Sequence, residues 1–154
     1  MAQFNNLVSA LARTFSIELQ EDDNHVSLFL DDFLYDFYYD ATTEKLLVIA
    51  MIGDLGEAPS GGNQALLFKK LLKAQFCFGE TTGFTFGLAD NDEFVALQAL
   101  WDIAPMSEQD FLTLMEKFVQ TVRLWSHKLE AELRDMPSAS ALEEGPRSMG
   151  QLWA

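Results

Sequence analysis

Few residues in this chain could do bond-making chemistry, and their spacing argues against it. Cys77 is the only cysteine. As a nucleophile it needs a base delivered by the fold, and the flanking Phe76 and Phe78 instead predict a buried thiol. His25 and His127 have no histidine or cysteine at metal-ligand spacing, so no zinc site is expected, and His127 reads as a surface residue of a helix. Asp31-Asp32 and Asp90-Asn91-Asp92 offer carboxylates without the twelve-residue spacing of a calcium loop, and read as turns. The glycine-rich stretch from Gly53 to Gly62 lacks the Gly-Lys-Ser/Thr of a phosphate cradle. It carries Asp54 and Glu57, which would repel phosphate, so it reads as a connector. No catalytic residue, metal or cofactor is expected.

Charge points the same way. The chain of 154 residues carries 24 acidic and 10 basic side chains, a net charge of −14, which opposes nucleic acid and anionic membranes. Residues 1–60 alone hold 11 acids against Arg13 and Lys45. Such a surface could attract a basic partner, and its self-repulsion keeps exposed apolar residues soluble. Lys69, Lys70 and Lys73 form one small basic cluster, which reads as a solvated helix face. The hydrophobic fraction of 49% is that of one globular domain. The longest apolar run, Leu46 to Ile52, is far short of the roughly 20 residues of a membrane helix. The N-terminus lacks the basic and apolar blocks of a secretory signal, and one cysteine suits a reducing compartment, so a cytoplasmic protein is expected.

The elements follow from periodicity. Phe4, Leu7, Val8, Leu11, Ala12 and Phe15 make one apolar stripe of an amphipathic helix, which the Glu21-Asp22-Asp23-Asn24 stretch ends in a turn. Three strands come next. His25–Asp31 alternates Val26, Leu28 and Leu30 on one face against Ser27 and Phe29, and Phe33–Tyr39 places Phe33, Tyr35, Phe37 and Tyr39 on a common face. Lys45–Ile52 is apolar on both faces, as in a strand covered on both sides. Short turns make the three an antiparallel meander. Asn63 is the expected N-cap of a second helix to about Ala74, with Leu67, Leu71 and Ala74 on one face and Phe68, Leu72 and Phe76 broadening the stripe. Phe84–Leu88 and Phe94–Trp101 read as a hairpin around Ala89–Asp92. Ser107-Glu108-Gln109-Asp110 is a capping box opening a long helix to about Arg134, with Phe111, Met115, Phe118, Val122, Trp125 and Leu129 on one face. The expected fold is α+β in the order α-β-β-β-α-β-β-α over residues 1–134, an antiparallel sheet flanked by helices. Residues 135–154, rich in proline, glycine and serine, are expected to be a flexible tail.

Taken together, residues 3–134 resemble the class I, effector-binding chaperones of type III secretion (the Tir-chaperone, or CesT-like, family). The features that carry this are the opening helix around Leu7-Val8-Ser9-Ala10-Leu11-Ala12 and the loop and helix Gly61–Phe76, similar to a "Leu-Leu-x-Ala-Asn-Leu-Phe" pattern. The hairpin Gly83–Leu97 and the stretch Met106–Leu129 add to it, the latter with Phe118-Val119 and Trp125 similar to a "Phe-Val-x-x-Ala-Glu-x-Trp" ending. Gln75 stands where asparagine is usual, and Thr121-Val122-Arg123 departs from the small and acidic residues of that ending.

The resemblance implies a homodimer without enzymatic activity or cofactor. Such a dimer would hold the N-terminal chaperone-binding segment of a secreted virulence effector extended and competent for secretion in the bacterial cytoplasm. It also implies a two-fold contact on the second helix, at Leu67, Phe68, Leu71 and Leu72. The expected client-binding residues are Leu7, Leu11, Leu28, Leu30, Tyr35, Phe37 and Met51, though alternation does not say which strand face is core. A rival reading is a small-ligand-binding or hot-dog-like thioesterase α+β protein, with Asp54 or Glu57 as the nearest carboxylate.

Overall fold

The computed structural model describes residues 1–16, 20–22, 24–56, 62–89 and 93–135. Helix α1 (Ala2–Phe15) is followed by strands β1 (Gln20–Asp22), β2 (His25–Leu30), β3 (Phe33–Asp40) and β4 (Lys45–Asp54). Then come α2 (Gly62–Gln75), a 3₁₀ turn (Phe76–Phe78), β5 (Thr85–Leu88), β6 (Phe94–Asp102) and α3 (Glu108–Arg134). The strands form one antiparallel sheet in the order β1-β2-β3-β4-β6-β5. Every element expected from the sequence is present. The addition is β1: Gln20–Asp22 pairs with His25–Ser27 where a plain turn was expected.

Local chemistry explains the connections. Asp31 and Asp32 both take positive φ, 52° and 69°, the geometry that lets a two-residue hairpin turn match the strand twist. At the next turn Asp40 accepts hydrogen bonds from the Thr42 amide at 2.8 Å and the Thr43 hydroxyl at 2.7 Å. These bonds favour the charged form and hold its carboxyl below the usual range. Ser107 caps α3 by accepting from the Asp110 amide at 3.1 Å. The hairpin turn at residues 90–92, most of the glycine-rich connector (57–61), and residues 136–154 of the expected tail lie outside the described residues.

Apart from Ala96 of β6, the buried apolar side chains of the sheet point to one side, where α1 and α3 lie. Val26 and Leu28 of β2, Tyr35, Phe37 and Tyr39 of β3, Leu46, Val48, Ala50 and Ile52 of β4, and Val95, Leu97 and Ala99 of β6 share one core with the helices. An aromatic cluster fills its centre, with Phe118 meeting Tyr35, Phe84 and Trp101 edge-on at 6.1, 4.9 and 6.1 Å between centroids. Phe4 of α1 stacks on Tyr39 at 5.1 Å, which ties the first helix to the meander. Gly53 sits at the β4 bulge directly beneath α3, and a Cβ there would come within 2.0 Å of Leu129 Cδ2. Only glycine admits this approach of strand to helix.

Among the described residues the sheet is covered on one side only, which corrects one expectation. β4 was expected to be sandwiched, yet within the chain its outward residues Leu47 and Ile49 are half-buried and Met51 is exposed. The longest helix is the last one and lies across an open sheet; it is not a central helix wrapped by a sheet, as the thioesterase reading would require.

Candidate functional site

The uncovered sheet face presents two apolar rows with a polar row between them. Cross-strand register aligns His25, Tyr38, Leu47 and Leu100 in one row. Phe29 faces Leu34, and Met51 faces Ala96, along the other. Phe29 and Leu100 are 63% and 61% exposed, high for large apolar residues in the interior of a sheet. A contiguous patch of this kind on a soluble protein marks a surface meant to be covered.

The polar row centres on Asp36. Its carboxylate accepts from the Ser27 hydroxyl at 2.5 Å and lies 2.9 Å from His25 Nε2, while the His25 ring stacks on Tyr38 at 4.4 Å. Tyr38 is pushed above the usual phenol range, by burial first and then by the Asp36 charge. The residue types are those of a hydrolytic triad, but the order is wrong. Ser27 bonds the carboxylate directly, and its 3.2 Å contact with histidine is to the same Nε2 that faces Asp36. The imidazole therefore does not bridge hydroxyl and carboxylate, and the cluster acts as a fixed polar notch in an apolar face.

A second exposed apolar surface lies on α2 and the edge strand β5. Leu71, Phe68 and Leu72 with Phe86, Leu88 and Val95 line a shallow cavity of about 230 Å³. Leu72 is 67% exposed and Phe76 79%. Left-handed backbone at Cys77 (φ 57°) and Phe78 (φ 55°) ends the helix and leaves both flanking phenylalanines outward. Gln75 Oε1 accepts from the Phe86 amide at 2.6 Å, satisfying one edge donor of β5 from within the chain.

The sequence-derived site residues divide sharply. Leu7, Leu11, Leu28, Tyr35 and Phe37 are buried in the core of the chain, so the expectation that they line a client groove gives way to a packing role. Leu30 is half-buried against the same core, and only Met51 reaches the open face. The reason is that alternation pairs residues on a face, while the choice of core face is made by where α1 and α3 dock. Of the expected two-fold contacts, Leu67 and Leu71 face inward, Phe68 is half-buried and Leu72 is exposed. Cys77 is exposed, against the expectation of a buried thiol. His127 is exposed, as expected.

Sequence reading placed Phe29 on the face opposite Leu28 and Phe76 on the stripe of the second helix but gave neither a site role. It singled out none of Leu34, Tyr38 and Leu100 on the open face, or Leu66 and Phe78 near α2, as site residues. The available signal was β4, whose double-sided apolar pattern requires cover on the face its own helices leave bare. Among the described residues there is no cluster of three or more metal-ligating side chains. No helix among them is long and apolar enough to cross a membrane.

Among the described residues, an open antiparallel sheet with one helical layer and two exposed apolar surfaces is the arrangement of a protein-binding module. Within that class, the chain belongs to the Tir chaperone protein (CesT) family, whose pattern it matches over residues 6–126. Its function is that of a type III secretion chaperone. No curated protein sequence matches it. Solved structures share the fold at low identity. A chain of the ExsC–ExsE complex aligns with a TM-score of 0.67 and 19% identity, covering 90% of this chain and 96% of that one. A chain of the HopA1–SchA chaperone–effector complex gives 0.60 and 18%, covering 81% and 94%. The Yersinia pestis type III secretion chaperone SycH, in complex with a fragment of YscM2, gives 0.57 and 11%, covering 78% and 97%.

Proposed function

We propose that this chain, as a homodimer in the bacterial cytoplasm, holds the N-terminal segment of a secreted effector extended on the open sheet face, without covalent chemistry. The observation that carries the reading is that face itself. Phe29, Leu34, Tyr38, Met51 and Leu100 remain outward after the chain has buried its own core. An extended client satisfies such a surface by laying alternate apolar side chains into the rows, with the Asp36 notch between them as a polar register mark. The HopA1–SchA structure, a chaperone–effector complex on this fold, supports an effector-binding role. The chain's negative charge keeps the face soluble while it waits for its client.

The dimer contact is proposed for the α2–β5 surface, through Phe68, Leu72 and Phe76. Leu67 and Leu71 support it from beneath as core residues.

The test is co-expression with the N-terminal segment of an effector encoded nearby, followed by co-purification. Leu100→Asp, on the open face and outside the core, is expected to abolish capture while circular dichroism and oligomeric state stay unchanged. Full capture by the folded variant refutes the assignment of this face.

A further inference from the structure

The chain has 10 basic side chains, and three of them, Lys70, Lys73 and Lys128, ring one groove between α2 and the last turns of α3. The groove holds about 480 Å³ over an apolar floor that includes Leu67, Trp125 and Leu129. That is within the roughly 300–1,000 Å³ of pockets that take a drug-sized ligand. Lys128 lies 3.1 Å from Glu80 and 4.4 Å from the Trp125 ring centroid, and Lys70 pairs with Glu132. Lys73, exposed at the rim, has no carboxylate partner among the described residues. The rim thus carries three lysines and the two glutamates Glu80 and Glu132, a net charge of +1 over an apolar floor. In a chain of net charge −14, this local excess of cations fits a segment that is itself acidic and apolar.

The chain carries such a segment next to the groove. α3 ends at Arg134, five residues beyond Leu129, so Asp135, one residue further, is only about 9 Å along the helix axis from the groove floor. Residues 136–154 include Leu142-Glu143-Glu144. Leu142 lies seven positions beyond Asp135, a span of up to about 23 Å when extended, ample for the chain to turn back. A tether this short gives an effective concentration on the order of millimolar, so individually weak ion pairs suffice to hold it. We propose that Leu142-Glu143-Glu144 docks in the α2–α3 groove of its own chain, with Leu142 on the Trp125–Leu129 floor and the two glutamates against Lys73 and Lys128. This uses the flank of α2 away from Phe68 and Leu72. It depends on neither the client assignment nor the dimer contact, and residues 142–144 lie beyond the family match at 6–126.

Zero-length carbodiimide coupling of the full chain tests it. Unlabelled and ¹⁵N-labelled copies are mixed in urea, refolded and cross-linked, and the linked peptides are mapped by mass spectrometry. Lys70–Glu132 and Lys128–Glu80 links serve as internal controls for the fold. The expected result is a link from Glu143 or Glu144 to Lys73 or Lys128 between peptides of the same label. Lys73→Glu should reduce it at least fivefold, and adding Glu143→Lys should restore a link with exchanged partners. Links between differently labelled peptides would make a second copy the occupant and overturn the proposal, as would equal coupling to the distant Lys45 and Lys117. Truncation after Asp135 gives a second readout, with amide exchange over residues 64–74 and 125–132 expected to accelerate severalfold. Unchanged exchange with no tail link in the full chain also overturns it.

Discussion

Replacing Leu72 by aspartate separates the two roles assigned to α2. Leu72 is 67% exposed in the single chain, whereas Leu71, one residue back, is buried. At a two-fold contact each copy would bury that exposed two-thirds. Complete burial of a leucine contributes about 1.5–3 kcal/mol, so the two copies together contribute roughly 2–4 kcal/mol to association. Loss of that term weakens dimerisation by roughly 30- to 700-fold, and placing a carboxylate in the interface adds to the effect. Sedimentation equilibrium or light scattering across a concentration series reads the change. Leu124→Asp, an exposed position on α3, serves as the control for introducing a charge. Leu71→Asp is a poor substitute, because it places an unpaired charge in the core and unfolds the chain it was meant to divide. A dissociation constant for Leu72→Asp within threefold of the parent, in a chain with normal circular dichroism, would refute the α2–β5 contact.

The remaining predictions concern stability and pH. Gly53→Ala is expected to destabilise by about 1–3 kcal/mol in urea denaturation, since the new methyl meets Leu129 Cδ2, and Leu129→Ala in the same chain should relieve part of the clash. Tyr35→Phe is expected to stabilise by about 1 kcal/mol, because the Tyr35 hydroxyl is buried without a hydrogen-bond partner and burial pushes its pKa well above the phenol range. A loss of stability in that variant would mean the hydroxyl is satisfied in solution. Asp40 has a folded pKa below its unfolded value, so its contribution is present above the unfolded pKa and fades as pH falls through the folded one. Asp40→Asn should therefore lower stability slightly at neutral pH, leave it nearly unchanged at low pH, and so flatten the acid limb of the profile, as urea denaturation followed by circular dichroism across pH would show.

Much of the scaffold was legible because its signals are local. The α3 stripe from Phe111 to Leu129 and the Ser107 cap predicted a helix that ends at Arg134, as observed. The alternation of Tyr35, Phe37 and Tyr39 grouped the residues that do share a face. β1 was not legible: three polar residues carry no period, and they become a strand only because β2 offers a free edge. The candidate site was legible least. Leu28 and Phe29 are adjacent apolar residues, yet one is sealed in the core and the other stands 63% exposed.

Sequence by itself determined the protein's chemical character. It is a strongly acidic chain with one cysteine, two histidines at no metal-ligand spacing and an excess of strand aromatics. Sequence also determined the order of elements, since helical and strand periods are written into neighbouring residues. Only the tertiary structure decided which side of the sheet is interior. That choice rests on α1 and α3 packing together on one face, a long-range event invisible to any local pattern. It converted Leu7, Leu28, Tyr35 and Phe37 into core and left Phe29, Leu34 and Leu100 as the surface available to a partner.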